Sequence, residues 1–163
     1  MVVAQLPNYG ADPANEDWPA IRRAQQAVCD AVSGCALVCL IDCGDSGDLH
    51  PWDKGATGAR MADALLWLAH GRGTGAQSPR LAAAEAREEG LLLNFTRPLA
   101  PLKGDLRSLQ ADGKPVDAVR TPEGALWLAA PNALRVTYAW ENDPAAALFD
   151  ADGLPVLPFE WVR

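Results

Sequence analysis

The chain has 163 residues, a net charge of −7 at pH 7 and a pI of about 4.7. Hydrophobic residues make up 49% of the chain and charged residues 21%, which is typical of a globular protein and not of a disordered one. The acidic balance argues against nucleic acid and anionic membrane surfaces as partners, because both attract basic patches. No apolar run approaches the roughly 18 residues that span a bilayer, so no membrane is expected.

Strand and helix patterns alternate over the first 76 residues. The apolar run 2–6 predicts a short strand, followed by a loop over 7–13. Helix-start residues at 15–17 then precede Trp18-Pro19, and proline is tolerated in a first turn. Apolar positions three and four residues apart predict an amphipathic helix that ends at Ser33-Gly34; these positions are Ile21, Ala24, Val28 and Val32.

A second strand and helix follow. The apolar run from Ala36 to Ile41 predicts a buried strand that reaches Asp42, and Asp53 is the predicted N-cap of the next helix. That helix is expected to stop near His70-Gly71 and to bury the stripe Met61, Ala64, Leu65 and Leu68. The order strand, helix, strand, helix is typical of an α/β fold whose parallel sheet is covered by helices.

The pattern changes after Gly71. The Gly-rich stretch 71–75 lacks the Lys-Ser/Thr pair of a phosphate loop and follows a helix, so we interpret it as a linker. Short apolar runs separated by turns then predict a small antiparallel, sandwich-like β domain over 77–163. Ala111 to Lys114 and Thr121 to Gly124 are turn sequences of the hairpin kind. The stretch from Leu81 to Glu89 is compatible with either helix or strand.

Four cysteines lie close together in the sequence, at positions 29, 35, 39 and 43. Their number would allow two disulfides in an oxidising compartment, whereas cysteines in or beside a strand often act as small buried hydrophobes. Their spacing is not that of a zinc site, which prefers two separated pairs of ligands. Buried thiols and a disulfide both remain open, and no metal ion or cofactor is expected.

A Gly/Asp/Ser loop directly follows the apolar run 36–41 and carries one of the two histidines. Polar residues that follow a strand of an open α/β sheet lie at its carboxyl edge, where such folds place their ligand sites. His50 is therefore the candidate general base, with Asp48 or Asp45 to orient it. Trp52, two residues further on, is a candidate to line the substrate pocket.

The chain resembles the C-terminal half of the catalytic domain of sialate O-acetylesterases, followed by the C-terminal segment of the proteins of that family. In the first part the resemblance rests on Gln5-Leu6-Pro7, Trp18, Arg22, Gln25, the run from Asp42 through Asp48-Leu49-His50-Pro51, Lys54, Gly58 and Arg60. In the second part it rests on Arg135 to Trp140, Leu148-Phe149, Asp152-Gly153-Leu154-Pro155 and Pro158-Phe159. These segments occur in the family's order along nearly the whole chain.

The resemblance implies an SGNH-type hydrolase that removes acetyl groups from sialic acid or a plant-wall glycan. It implies part of an SGNH-type parallel sheet over 1–76 and the small antiparallel domain over 77–163. His50 matches the family's histidine, and Asp48 matches its nearby acid. The broader superfamily often places the acid three residues before the histidine, where this chain has Gly47.

The serine nucleophile of the family belongs to blocks that lie upstream of the matched region. Ser46 follows Gly44-Asp45 and imitates such a block, but its position four residues before His50 favours a turn serine. We therefore expect this chain to be a C-terminal portion that supplies the histidine and aspartate, paired with an upstream segment or a second chain. The family further implies an exported parent, periplasmic or secreted.

Two alternatives stay open at this point. Arg22 could meet the carboxylate of a sialic acid or form a structural ion pair. The whole chain could equally be a non-catalytic module, derived from such an esterase, that binds glycans or a protein partner. The first hypothesis requires an acetylated carbohydrate substrate, and the second requires only binding.

Overall fold

The computed structural model describes residues 1–10 and 15–163, and it shows a mixed α/β protein with two helices. The chain divides into two compact units. The first comprises Met1–Ser78 and Glu141–Pro144, and the second comprises Pro79–Trp140 and Ala145–Arg163. The sequence predicts domains over 1–76 and 77–163. It does not predict that residues 141–144 belong to the first unit. Of the residues predicted as the loop over 7–13, those from 11 onwards lie outside the described part of the chain.

The first unit contains strand β1 (Val2–Ala4), helix α1 (Trp18–Ala31), strand β2 (Ala36–Val38) and helix α2 (Gly55–His70). Strands β1 and β2 pair in parallel, with Val3 opposite Leu37. The alternation of strands and helices is thus confirmed. The larger SGNH-type parallel sheet is only weakly represented, because the parallel sheet of the described residues has two strands.

Helix α1 begins where the sequence predicts. The Asp17 side chain caps it by accepting a hydrogen bond from the Ala20 amide at 3.0 Å, and Pro19 lies in the first turn, where its missing N–H costs nothing. Helix α2 begins after Lys54, so Asp53 is not its N-cap; Asp53 instead accepts a bond from the Gly55 amide at 2.9 Å. Gly71 ends α2 in the left-handed conformation, at the predicted position.

The buried faces of both helices differ from those expected. In α1 the predicted apolar positions Ile21 and Val28 are 48% and 47% exposed, while Arg22 and Cys29 are buried. In α2 the predicted buried stripe is confirmed in part: Ala64 is buried and Met61 and Leu68 are half-buried, but Leu65 is 54% exposed. The physical reason is the size of the sheet: two strands about 4.8 Å apart are narrower than one helix of about 10 Å.

The glycine-rich stretch after α2 is held against that helix. Asp63 accepts bonds from the Thr74 hydroxyl at 2.8 Å and the Ala76 amide at 2.7 Å. The Thr74 hydroxyl, followed by the backbone amides, holds the pKa of the Asp63 carboxyl below its ordinary value. The Asp63 carboxylate therefore holds this connection in place through its hydrogen bonds.

The second unit contains eight strands in two antiparallel sheets, as the sequence predicts. One sheet has the order β3-β4-β8-β7 and the other has the order β10-β9-β5-β6. Their bounds are β3 Leu81–Arg87, β4 Gly90–Phe95, β5 Leu109–Ala111, β6 Lys114–Pro115, β7 Ala118–Arg120, β8 Leu126–Leu128, β9 Arg135–Tyr138 and β10 Phe159–Val162. The stretch from Leu81, which is compatible with helix or strand from its sequence, is a strand, because it pairs antiparallel with β4.

Both predicted hairpin turns are present. Asp112 and Gly113 have positive φ angles of 50° and 78° between the paired residues Ala111 and Lys114, which is the geometry of a two-residue hairpin turn. The second turn connects β7 to β8 and is closed by the bond from the Gly124 amide to the Thr121 carbonyl at 3.0 Å. Among the described residues, neither helix is long and apolar enough to cross a membrane.

Candidate functional site

The site loop, residues 42–53, leaves the interior of the first unit directly after a buried segment. Residues 36–41 are buried, and the chain then emerges into a loop in which His50 is exposed. Because β2 runs parallel to β1, this loop lies at the carboxyl end of the parallel pair. That is the edge at which open α/β folds bind their ligands.

The shape of the site loop comes from three aspartates that bind their own backbone. In each case a side-chain oxygen accepts a hydrogen bond from the amide two residues further on: Asp45 from Gly47 at 2.7 Å, Asp48 from His50 at 2.8 Å and Asp53 from Gly55 at 2.9 Å. Aspartate favours such turns because its short side chain reaches that amide. The local sequence thus fixes the turns that present His50.

Asp48 and His50 are in contact, through the backbone of the histidine. The 2.8 Å bond joins the Asp48 carboxylate to the His50 amide, which places the acid beside the residue that it is predicted to orient. Asp45 instead holds the Gly47 amide. The bond from the His50 amide does not involve the imidazole, so the preference for Asp48 over Asp45 and the catalytic roles of Asp48 and His50 stay predictions.

An open pocket of about 210 Å³ lies beside the loop, and its walls come from the loop itself and the first turn of α2. The indole of Trp52 forms one side and is 93% exposed. An aromatic face this accessible can stack on an apolar ring face of a ligand. The other walls include the carboxylate-bearing residues Asp42, Asp45 and Asp53.

One of these carboxylates is paired with a cation. The guanidinium of Arg60 binds both oxygens of Asp42, at 2.6 and 2.7 Å, and also donates to the Cys39 carbonyl at 3.1 Å. Arg60 therefore forms a structural ion pair at the edge of the pocket. Cys43 lines the same pocket, but burial and then the charge of Asp42 raise the pKa of its thiol to about 11. A thiol held in this state is a poor nucleophile at neutral pH.

Ser46 is tied to a part of the chain that sequence reasoning did not connect with the loop. Its hydroxyl donates to Asp143 at 2.6 Å, and the other oxygen of Asp143 accepts from the Asn8 amide nitrogen at 3.0 Å. Asp143 thus joins three segments of the first unit. The bond agrees with the interpretation of Ser46 as a supporting serine. No local signal could have revealed Asp143, which lies 97 residues further along the chain.

Gly44 lies very close to Asn8, one of the residues bound to Asp143. Its amide donates to the Asn8 side chain at 2.8 Å, and a Cβ at this position would lie 1.9 Å from the Asn8 carbonyl oxygen. A Cβ at Gly47 would meet only the Asp45 carboxylate, at 3.5 Å.

Replacing Gly44 by alanine is therefore expected to destabilise the first unit by about 1–3 kcal/mol, because the site loop must move away from Asn8. The Gly47→Ala variant serves as the matched control and should change stability by less than about 0.5 kcal/mol. Urea denaturation of the two variants measures the difference. Equal midpoints would show that the loop does not depend on this contact.

Arg22 meets neither of its predicted partners. Its guanidinium is fully buried and donates to the carbonyl oxygens of Leu6, Pro7, Glu141 and Asn142 at 2.5–2.9 Å. Burial lowers its pKa to about 10, so the group stays charged at neutral pH. Four of its five N–H groups donate to backbone carbonyls, and within residues 1–10 and 15–163 the guanidinium forms no ion pair. The contact with a sugar carboxylate is wrong, because the group is buried.

No known protein family and no curated protein matches the sequence. Among solved structures, the chain is similar to the crystal structure of a carbohydrate acetylesterase from Xanthomonas citri, with a TM-score of 0.83 and 24% identity. The match covers 98% of this chain and 40% of that enzyme, so the chain spans about two-fifths of the enzyme's length. The chain therefore shares its fold with part of a carbohydrate acetylesterase.

Proposed function

We propose that this chain is part of a carbohydrate O-acetylesterase, to which it contributes the general base His50 and the orienting acid Asp48. The observation that carries the proposal is the exposed histidine at the carboxyl end of the parallel strands, in a chain with the fold of part of such an enzyme. The contact between Asp48 and the His50 amide supports it. His50 and Asp48 do not line the pocket. Pro51 and Trp52, which directly follow His50, do line it, so a substrate held there would contact residues adjacent to the histidine in the sequence.

The proposed reaction divides the work between this chain and a nucleophile-bearing segment, either upstream or in a second chain. A serine hydroxyl of that segment attacks the acetyl carbonyl, and His50 takes its proton. His50 then gives the proton to the departing sugar oxygen, which leaves as a hydroxyl, and activates the water that releases acetate. We do not assign the nucleophile to Ser46, which lies only four residues before His50 and whose hydroxyl donates to Asp143.

The walls of the pocket favour an uncharged sugar. Asp45 and Asp53 line the pocket together with Trp52, and Arg60 is engaged with Asp42. Like charges repel, so the carboxylate of a sialic acid would be disfavoured there. Arg22, the candidate partner for that carboxylate, is buried. We therefore place acetylated neutral oligosaccharides ahead of sialic acid as substrates.

The test is acetate release from an acetylated neutral oligosaccharide and from an O-acetylated sialic acid, with the nucleophile-bearing segment present. Asp48→Asn should lower kcat about 100-fold or more, because asparagine keeps an acceptor for the His50 amide but removes the charge that stabilises an imidazolium. Asp105→Asn is the matched control, since Asp105 makes the same kind of turn with the Arg107 amide in the second unit.

Unchanged acetate release by Asp48→Asn would contradict the role of Asp48. Glycan binding without acetate release by the wild type would instead favour the non-catalytic module. Faster turnover of the sialic acid substrate would contradict the preference for an uncharged sugar and would leave the esterase proposal intact.

A further inference from the structure

Two cysteine sulfurs lie side by side where α1 turns into β2. The Sγ atoms of Cys29 and Cys35 are 3.0 Å apart, about 1 Å beyond the length of a disulfide bond. Cys29 is in the last turns of α1, and Cys35 directly precedes β2. Both cysteines belong to the first unit.

The turn between them holds this arrangement through its backbone. The Cys35 amide donates to the Val32 carbonyl at 3.2 Å, and Gly34 has a φ of 73°, a conformation that favours glycine. The N-terminal amine binds the Gly34 carbonyl at 2.6 Å. The chain reversal therefore brings the two sulfurs together without help from the side chains.

The other two cysteines are in different surroundings. Cys39 is 1% exposed, and burial raises the pKa of its thiol to about 12. Cys43 is bound between Asp42 and Arg60, at 3.5 and 3.4 Å. Because the thiolate is the species that exchanges with disulfides, both are poor participants in such a reaction.

We propose that Cys29 and Cys35 form an intramolecular disulfide, while Cys39 and Cys43 remain thiols. The oxidant is a disulfide-containing thiol reagent of the oxidised glutathione class. The thiolate of Cys35, the more exposed of the pair, attacks one sulfur of the oxidant and releases one thiol. The thiolate of Cys29 then attacks the Cys35 sulfur and releases the second thiol, so two electrons pass to the oxidant and both protons pass to the released thiols.

The bond would connect the end of α1 to the start of β2. Helix α1 carries Arg22, which binds the loops at 6–7 and 141–142, and β2 leads into the site loop. The cross-link needs no substrate and is independent of the proposed hydrolysis. Closing this short loop should raise the thermal midpoint of unfolding by about 5 °C.

The test uses the full chain, first reduced and then incubated with oxidised glutathione. The thiols that can be alkylated after denaturation should fall from four to two. Cleavage before Asp30 and Asp42 separates Cys29 from Cys35 and both from Cys43, so the expected product is a cross-link between the peptide ending at Cys29 and the peptide 30–41. Fragmentation of that product distinguishes Cys35 from Cys39.

The variants Cys29→Ser and Cys35→Ser should each lose the cross-link and the rise in thermal midpoint, whereas Cys43→Ser should keep both. Four alkylated thiols after oxidation would overturn the proposal, as would a cross-link that contains residues 42–44 or one that joins two molecules. The peptide map of the wild type decides the question even where a serine variant fails to fold.

Discussion

Replacing His50 by alanine is expected to lower kcat for acetate release by about 1,000-fold or more when the nucleophile-bearing segment is present. The reason is that the serine of that segment would lose the group that takes its proton in the attacking step. Substrate binding should change little, because the exposed indole of Trp52 and the pocket walls remain in place. Steady-state kinetics on an acetylated oligosaccharide separates the two effects.

The matched control for this variant is His70→Ala. His70 is the other histidine of the chain, and it is exposed in the last turn of α2. Its replacement should leave kcat within a factor of about two, as for an ordinary surface substitution. Full activity of His50→Ala would refute the proposed function of the loop.

The 163-residue chain by itself adds a second control. It should release acetate only at the background rate, because a base without its nucleophile and oxyanion donors has little to act on. Rapid release by the chain alone, abolished in Ser46→Ala, would contradict the assignment of the nucleophile to another segment.

Replacing Arg22 by methionine is expected to lower the free energy of unfolding of the first unit by about 3 kcal/mol or more. Methionine fills part of the volume but provides no donor, so four carbonyl oxygens lose a charged hydrogen-bond partner. The free energy of unfolding falls by more than the contribution of one hydrogen bond, because each buried carbonyl oxygen left without a donor is destabilising. Removing the buried charge also removes its desolvation cost, which offsets part of the loss in free energy of unfolding.

Urea denaturation measures this effect, with Arg23→Met as the matched control. Arg23 is the next residue on α1 and is exposed, so its replacement should cost less than about 0.5 kcal/mol. The stability of Arg22→Lys should lie between those of the wild type and Arg22→Met. An ammonium group keeps the charge, but it cannot bind all four carbonyl oxygens that the planar guanidinium reaches. Equal stability of Arg22→Met and the wild type would contradict the role of Arg22 in joining α1 to the loops at 6–7 and 141–142.

The candidate site could be predicted as far as its interactions are local. The turns at Asp45, Asp48 and Asp53 each join a side chain to an amide two residues away, so the loop around His50 follows from a short stretch of sequence. Trp52 could be singled out for the same reason, because it follows that loop directly.

Asp143 could not be predicted in the same way. Its bonds to Ser46 and Asn8 bridge 97 and 135 positions, with the whole of the second unit's main segment between. Nothing in the run Glu141–Pro144 distinguishes it from an ordinary surface turn. Only the return of this segment to the first unit makes it part of the cluster behind the site loop.

The sequence by itself determined the start of α1, the end of α2 and the two hairpins, because caps and turns depend on neighbouring residues such as Asp17, Gly71 and Asp112-Gly113. Only the tertiary structure decided which side of each helix is buried. Helical periodicity favours the side with Ile21 and Val28, yet Arg22 is buried, because converging carbonyls give its charge a full set of acceptors. Burial depends on what surrounds a helix as well as on its own pattern, and those surroundings come from distant parts of the chain.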